Sequence, residues 1–133
     1  MKKYKIIEGN YDDYVKYNGL KNKNKPVALE IRDNIAKYLM VFDGEELFSE
    51  VFIFEEKEVL INLNITIMFK EYFDELLEYL KPKYKYVTFK SDETLYNNLK
   101  AIREKCKVVD EKEEILKTQT GVELRLVSLK IEL

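Results

Sequence analysis

The stretch Tyr38–Phe54, YLMVFDGEELFSEVFIF, carries the strongest signal for the fold of this chain. Bulky apolar residues fill both of its ends, which favours two strands, Tyr38–Phe42 and Leu47–Phe54. Asp43 and Gly44 stand between them, and an Asp-Gly pair is a strong signal of a tight β-hairpin. The segment therefore predicts two antiparallel strands within a larger sheet.

The residues before this hairpin predict a strand, a short helix and a further strand. Lys3–Glu8 favours a first strand. Asp12 or Asp13 can cap a helix that continues to Leu20, because an aspartate side chain accepts hydrogen bonds from the free N–H groups of a helix start. Val27–Ile31 alternates in hydrophobicity, which is typical of a half-buried strand.

Strands and helices alternate after the hairpin. Val59–Ile67 has apolar residues at every second position and predicts a long strand. Apolar residues then recur at intervals of three and four, which predicts a helix over 70–81 that Pro82 ends. Tyr84–Phe89 favours another strand, and Ser91 is placed to cap a last helix.

The end of the chain alternates again, but its apolar phase slips by one residue. The slip falls between Leu126 and Val127 and predicts a β-bulge or a bend there. Cys106 completes the apolar stripe of the last helix and is expected to fill the core. The predicted fold is mixed α/β with a mostly antiparallel sheet and the order β-α-β-β-β-β-α-β-α-β-β.

Length and composition limit the possible functions. The 133 residues have room for a single domain, 1–133, and the net charge of −2 argues against a general electrostatic grip on nucleic acid. The absence of histidine and the single cysteine exclude His-based catalytic triads, His-ligated zinc and thiolate metal sites. An acid/base pair such as Glu30 with Asp33, or a divalent metal at the acidic cluster 110–114, stays open, although no metal is expected.

The start of the chain lacks an apolar segment of signal-peptide length after Met1. Its longest apolar stretches are too short to span a bilayer. A lone cysteine fits a reducing compartment. We therefore expect a cytoplasmic protein, and the Lys-, Asn- and Ile-rich composition is typical of an A+T-rich phage, mobile element or bacterial genome.

From Tyr38 to Cys106, this order of elements resembles the GNAT N-acetyltransferase superfamily. The hairpin resembles that fold's second and third strands, Val59–Ile67 its fourth strand, and Phe69–Leu80 the helix that follows. The resemblance implies a GNAT-like fold and, in a typical member, acyl transfer from acetyl-CoA.

The residues that carry the family's chemistry are missing. Its motif [QR]-x-x-G-x-[GA] presents backbone N–H groups to the coenzyme A pyrophosphate, and the corresponding positions are near Met68, Glu71 and Phe73, none of which matches. Its general-acid tyrosine would fall near Ala101 or Ile102, neither of which can donate a proton. We therefore assign no catalytic residue, expect no cofactor, and lean against an enzyme.

Two regions are candidate binding sites for a partner, most plausibly another protein. The first is the acidic region 45–58, represented by Glu45, Glu46 and Glu50, which suits a basic partner. The second is the polar face of the Val59–Ile67 strand, which would border the ligand cleft of a GNAT-like fold. Its residues are Asn62, Asn64 and Thr66.

Three hypotheses follow, of which the first leads. The chain is a non-catalytic GNAT-like domain that binds or inhibits another protein. Alternatively, it is an acyl-CoA-dependent N-acetyltransferase with an unorthodox coenzyme loop, in which acetyl-CoA is held near Thr66, Met68, Phe69 and Glu71. The third is a structural homo-oligomer, a homodimer for example, in which the C-terminal strand Val122–Leu133 pairs with a neighbour.

Overall fold

The fold is that of a computed structural model, which describes residues 3–66 and 68–133. These residues form seven strands and four α-helices, joined by short turns and 3-10 helices. In chain order the elements are β1 (Tyr4–Gly9), α1 (Tyr11–Asn18), α2 (Pro26–Arg32), β2 (Ala36–Asp43), β3 (Glu46–Phe54), β4 (Leu60–Asn62), α3 (Phe73–Leu80), β5 (Tyr86–Asp92), α4 (Tyr96–Lys105), β6 (Lys107–Lys117) and β7 (Glu123–Glu132).

The strands form one sheet in the order β1-β2-β3-β4-β5-β7-β6. Every neighbouring pair is antiparallel except β4 and β5, which run parallel. The mixed α/β class and the mostly antiparallel sheet are therefore confirmed. From Leu126 to Glu132 the C-terminal strand β7 lies between β5 and β6, so this part of it has no free edge to offer a second copy.

The predicted hairpin is confirmed as β2 and β3. Gly44 occupies the turn with a φ of 64°, a left-handed conformation that glycine adopts without steric cost. A register shift between Val41 and Phe42 places one extra residue on β3 near the turn. The helix predicted over 70–81 is also confirmed, as a 3-10 helix (Phe69–Tyr72) that continues into α3.

The strand predicted at Val27–Ile31 is wrong, because these residues form α2. Pro26 is the first helical residue, where its fixed φ and its missing N–H cost nothing. Ala28 and Ile31, three residues apart, are the buried members of the helix. The order is therefore β-α-α-β-β-β-α-β-α-β-β.

The long strand predicted at Val59–Ile67 is also wrong beyond Asn62. The side chain of Asn62 accepts a hydrogen bond from the backbone N–H of Asn64 at 3.0 Å, and a 3-10 helix (Leu63–Ile65) replaces the strand. Asparagine competes with strand pairing in this way because its side chain reaches the backbone two residues on. Ile67 lies outside the described residues.

Two predicted caps fall at neighbouring residues instead. Asn10, not an aspartate, caps α1: its side chain accepts the Asp13 N–H, and the Asp13 carboxylate accepts the Asn10 N–H, which forms a capping box. Ser91 is fully buried inside β5, and the next residue, Asp92, accepts the N–H of Thr94 at 2.9 Å. Asp92 is the last residue of β5 and can therefore cap the turn that follows, whereas the Ser91 side chain is buried within the strand.

The bulge predicted between Leu126 and Val127 is wrong as well. Both residues pair in unbroken register with β5, and the register shift lies on β6 between Val108 and Asp110. Leu126 and Val127 are both buried, although neighbouring residues of a strand point to opposite faces. Both faces of β7 are covered at this point, so apolar residues occupy consecutive positions. The shift in the apolar pattern therefore needs no bulge in the backbone.

The sheet has a hydrophobic core on each face. The larger core packs α3 and α4 against β2–β5 and β7, and Phe69, Phe73 and Phe89 are among its fully buried residues. The smaller core packs α1 and α2 against β2 and β3, around Tyr14 and Tyr38. None of the helices in the described part of the chain is both long enough and apolar enough to span a membrane.

Gly9, the last residue of β1, is expected to tolerate no larger side chain. A Cβ atom there would lie 2.8 Å from Met40 Cε and 2.9 Å from Tyr38 Cδ2. We expect Gly9→Ala to lower the free energy of unfolding by about 1–3 kcal/mol, since overpacking forces neighbouring side chains aside. Urea denaturation measures this, with the exposed neighbour Glu8→Ala as the control. Equal midpoints for both variants would contradict the packing.

Candidate functional site

The candidate site lies where β4 and β5 separate. The two strands pair through three residues each, with Asn62 opposite Lys90 as the last pair. After Asn62 the chain turns away into a 3-10 helix, while β5 continues to Asp92. Ligands of α/β folds often bind beyond the carboxyl ends of parallel strands, so this divergence is the natural place to look.

The side chain of Asn64 bridges the two diverging strands. Its Oδ1 accepts the backbone N–H of Asp92 at 3.1 Å. The Thr66 hydroxyl donates to the backbone carbonyl of Asn62 at 3.1 Å, and Thr66 is only 5% exposed. The polar groups of Asn62, Asn64 and Thr66 therefore bind backbone groups, and the exposed Asn64 links the two diverging strands.

An open cavity of about 360 Å³ lies beside this bridge. One wall is formed by residues 68–71 and the other by the segment that leads into α4. Its lining residues are Met68, Phe69, Lys70, Glu71, Thr94, Leu95, Asn97 and Asn98. Three of the four residues predicted to hold a coenzyme therefore meet at one cavity, whereas Thr66 does not line it.

The wall formed by residues 68–71 has neither the glycines nor the net positive charge that favour a pyrophosphate group. Phe73, at one of the family's glycine positions, is 1% exposed, and its ring packs 4.5 Å from Phe69 and 5.9 Å from Phe89 between centroids. Glu71 brings a negative charge to the cavity wall and Lys70 a positive one, so the wall has no net positive charge to attract a pyrophosphate. Met68 has a φ of 56°, so the backbone turns in a left-handed conformation without the glycine that favours it.

The two α4 positions predicted for a general acid carry no ionisable group. Ile102 is fully buried in the larger core, and Ala101 is half-buried. Tyr96 is 61% exposed at the first residue of α4. Cys106 is half-buried and packs against the larger core as predicted, and burial raises the pKa of its thiol.

The acidic region 45–58 does not form one patch. Glu45 and Glu46 are exposed at the β2–β3 turn. Glu55 lies past the far end of β3, where it accepts from Tyr84 and pairs with Lys37 at 3.0 Å. Because β3 has nine residues, the two groups are roughly 27 Å apart.

Glu50 takes a structural position that the sequence did not reveal. It is half-buried and accepts hydrogen bonds from the Tyr38 hydroxyl and, at 2.8 Å, from Asn18 Nδ2. Tyr38 is fully buried, and burial together with Glu50 raises its pKa. The alternation of β3 only indicated a polar residue between apolar ones, because α1 and the partner tyrosine come from distant parts of the chain.

The remaining sequence candidates are not brought together as a site. Asp33 pairs with its neighbour Arg32 at 3.1 Å on the surface. In the acidic cluster 110–114, Glu111 pairs with Arg103, and Glu113 with Arg125. The described residues contain no group of three or more side chains placed to hold a metal ion.

No protein-family model and no curated protein sequence matches this chain. Solved structures do match its fold along almost its whole length. A GNAT family acetyltransferase from Elizabethkingia anophelis with acetyl-CoA bound is similar with a TM-score of 0.63 and 12% identity over 100% of both chains.

Two further structures agree with that match. An N-acetyltransferase from Staphylococcus aureus Mu50 has a TM-score of 0.60 and 10% identity, over 97% of each chain. An IAA acetyltransferase from Bacillus cereus ATCC 14579 has a TM-score of 0.60 and 10% identity, over 98% of this chain and 99% of its own. The chain therefore has the fold of the GNAT acetyltransferases.

Proposed function

We propose that this chain is a non-catalytic GNAT-like domain that acts by binding, or inhibiting, another protein. The observation that carries the proposal is the Asn64–Asp92 hydrogen bond, which joins the strands at their divergence. A thioester placed between β4 and β5 would have to displace this bond. The bond lies at the surface, and losing an intramolecular hydrogen bond of this kind costs about 0.5–1.5 kcal/mol.

The chemistry of the neighbouring residues supports the same proposal. At the general-acid position, Ala101 and Ile102 have no ionisable group. Glu71, in the cavity wall at 68–71, repels a pyrophosphate. The Phe73 ring, at a position predicted for a glycine, is part of the core. These residues therefore disfavour both requirements of acyl transfer, which are proton donation and coenzyme binding.

A partner surface is available at the β2–β3 turn. Glu45 and Glu46 are exposed there, next to an open cavity of about 510 Å³. The cavity wall includes the aromatic residues Tyr4, Phe42 and Tyr79. Aromatic residues beside exposed charges are typical of protein interfaces. Lys3 and Lys5 also line the cavity, so the charge that favours a basic partner is that of Glu45 and Glu46 at the turn beside it.

Affinity capture with a charge-reversed control tests this proposal. We expect the tagged chain to retain a discrete basic protein from extract of its source cells, and the double variant Glu45→Lys, Glu46→Lys to retain at least tenfold less. The matched control Glu56→Lys reverses an exposed charge at the other end of β3 and should keep the partner. Equal retention by all three proteins, or retention of nothing by any of them, would contradict the proposal.

Acyl transfer is the second candidate, favoured by the cavity at Met68–Glu71 and by the similar fold of an acetyltransferase solved with acetyl-CoA. A ligand at 100 times its dissociation constant stabilises a protein by about 2.7 kcal/mol, which raises the melting temperature by several degrees for a domain of this size. We expect no change in melting temperature with millimolar acetyl-CoA. A saturable rise would support the enzyme instead.

A further inference from the structure

The outer edge of β6 is open for pairing. β6 is the last strand of the sheet and pairs with β7 alone among the described strands. Its residues from Val109 to Lys117 are all exposed. An edge strand of this length presents a row of backbone N–H and C=O groups that another strand can use.

The far end of this edge is apolar. Ile115 is 64% exposed and Leu116 47%, and Val122, just before the start of β7, is 60% exposed. β7 meets β5 only from Leu126 onward, so the hairpin projects past the rest of the sheet. Exposed apolar side chains on a projecting hairpin are typical of an interaction surface.

We propose that β6 pairs with β6 of a second copy of this chain, antiparallel about a two-fold axis through Ile115. An axis perpendicular to the sheet places each residue opposite one on the same face of the other copy. Ile115 then lies opposite Ile115 of the second copy, and Glu114 opposite Leu116. Glu113 lies opposite Lys117, twice in the dimer, which gives two pairs of opposite charge.

The charges of β6 select this register. Like charges directly opposite each other destabilise a strand pair. From Asp110 to Lys117, an axis through any charged residue would set that residue against itself, which leaves Ile115 and Leu116. An axis through Leu116 would place Ile115 against Lys117 and would form no pair of opposite charges. Self-complementarity therefore favours a second copy as the occupant.

The existing ion pairs of β6 are compatible with this arrangement. Glu113 Oε2 accepts from Arg125 at 2.5 Å, and its other oxygen can accept the Lys117 ammonium of the second copy. The bulge between Val108 and Asp110 bends the strand away at its other end, so pairing is confined to the stretch around Ile115. This surface is distinct from the β2–β3 turn, and the dimer does not depend on the proposed function.

Disulfide trapping tests the register in the full chain. In a Cys106→Ala background, Ile115→Cys should form a covalent dimer under mild oxidation, because opposite residues of antiparallel strands have Cα atoms about 4.5–5.5 Å apart, within disulfide range. Lys112→Cys is the matched control on the same strand. It lies six residues from its own counterpart in this register, roughly 20 Å away, and should stay monomeric.

Three outcomes would overturn the proposal. They are no covalent dimer with Ile115→Cys, equal trapping of both cysteine variants, and trapping of Leu116→Cys in place of Ile115→Cys. Sedimentation of the cysteine-free chain gives an independent measurement. We expect a monomer–dimer equilibrium that Ile115→Lys shifts at least tenfold towards monomer, whereas a monomer at every concentration would contradict the dimer.

Discussion

Replacing Phe89 with alanine is expected to lower the free energy of unfolding by about 3–5 kcal/mol. Phe89 is fully buried on β5, between β4 and β7, and its ring lies 5.5 Å from Phe69 and 5.9 Å from Phe73. The substitution leaves a cavity beneath the start of α3, which the surrounding secondary structure cannot fill. Urea denaturation measures the loss.

The matched control is Tyr96→Ala, which truncates an aromatic side chain that is 61% exposed. Surface substitutions change stability by about 0.5 kcal/mol or less. Similar losses for the two variants would mean that Phe69, Phe73 and Phe89 do not form a packed cluster. The cavity wall formed by residues 68–71 would then be free to rearrange.

Raising the pH above 10 is expected to unfold the protein steeply. Burial raises the pKa of Tyr72 to about 12, and burial and then Glu50 raise the pKa of Tyr38. The folded state therefore keeps these phenols protonated where the unfolded state has begun to lose the proton. Their contribution to stability is complete below pH 10, the unfolded value, and falls as the pH rises towards the folded pKa.

Each such tyrosine lowers stability by roughly 1 kcal/mol per pH unit in this window. Urea denaturation at pH 9 to 12 measures the slope, and absorbance at alkaline pH reports the ionised phenols. We expect Tyr72→Phe to be less stable than the native chain at pH 9 but to have a shallower slope above pH 10. An unchanged slope would show that Tyr72 ionises alike in the two states.

The sequence predicted the elements whose signals are local. The Asp43-Gly44 turn specifies its own hairpin, since the flanking strands need only that reversal. The apolar stripe over 70–81 predicts the helix that carries Phe73, Leu76 and Leu80 into the core. In both cases the local sequence pattern favours one secondary structure over the others.

The errors occur where two local signals compete. Val27–Ile31 has an alternating pattern, but Pro26 starts a helix and Ala28 with Ile31 suits helical spacing equally well. Val59–Ile67 also alternates, yet Asn62 bonds the backbone two residues on and ends the strand. The periodicity of apolar residues does not reveal that a single asparagine side chain can end a strand.

The candidate site was only partly accessible to sequence reasoning. The mismatch at Met68, Glu71 and Phe73 was visible as missing glycines, and Met68, Glu71 and Phe69 do meet at one cavity. The bond between Asn64 and Asp92 was not visible, because it joins residues 28 apart in the chain. Long-range hydrogen bonds of this kind have no signature in composition or periodicity.

The most direct test of the central claim is an NMR titration of the labelled chain with acetyl-CoA. The proposed non-catalytic role predicts that the amide signals of Asn64, Asp92 and Met68–Glu71 stay unchanged at millimolar ligand. The Asp92 amide should exchange slowly with solvent in the native chain and faster in Asn64→Ala, because its acceptor is then missing. Saturable shifts of these amides with acetyl-CoA would contradict the account and place the chain among the coenzyme-binding members of its fold.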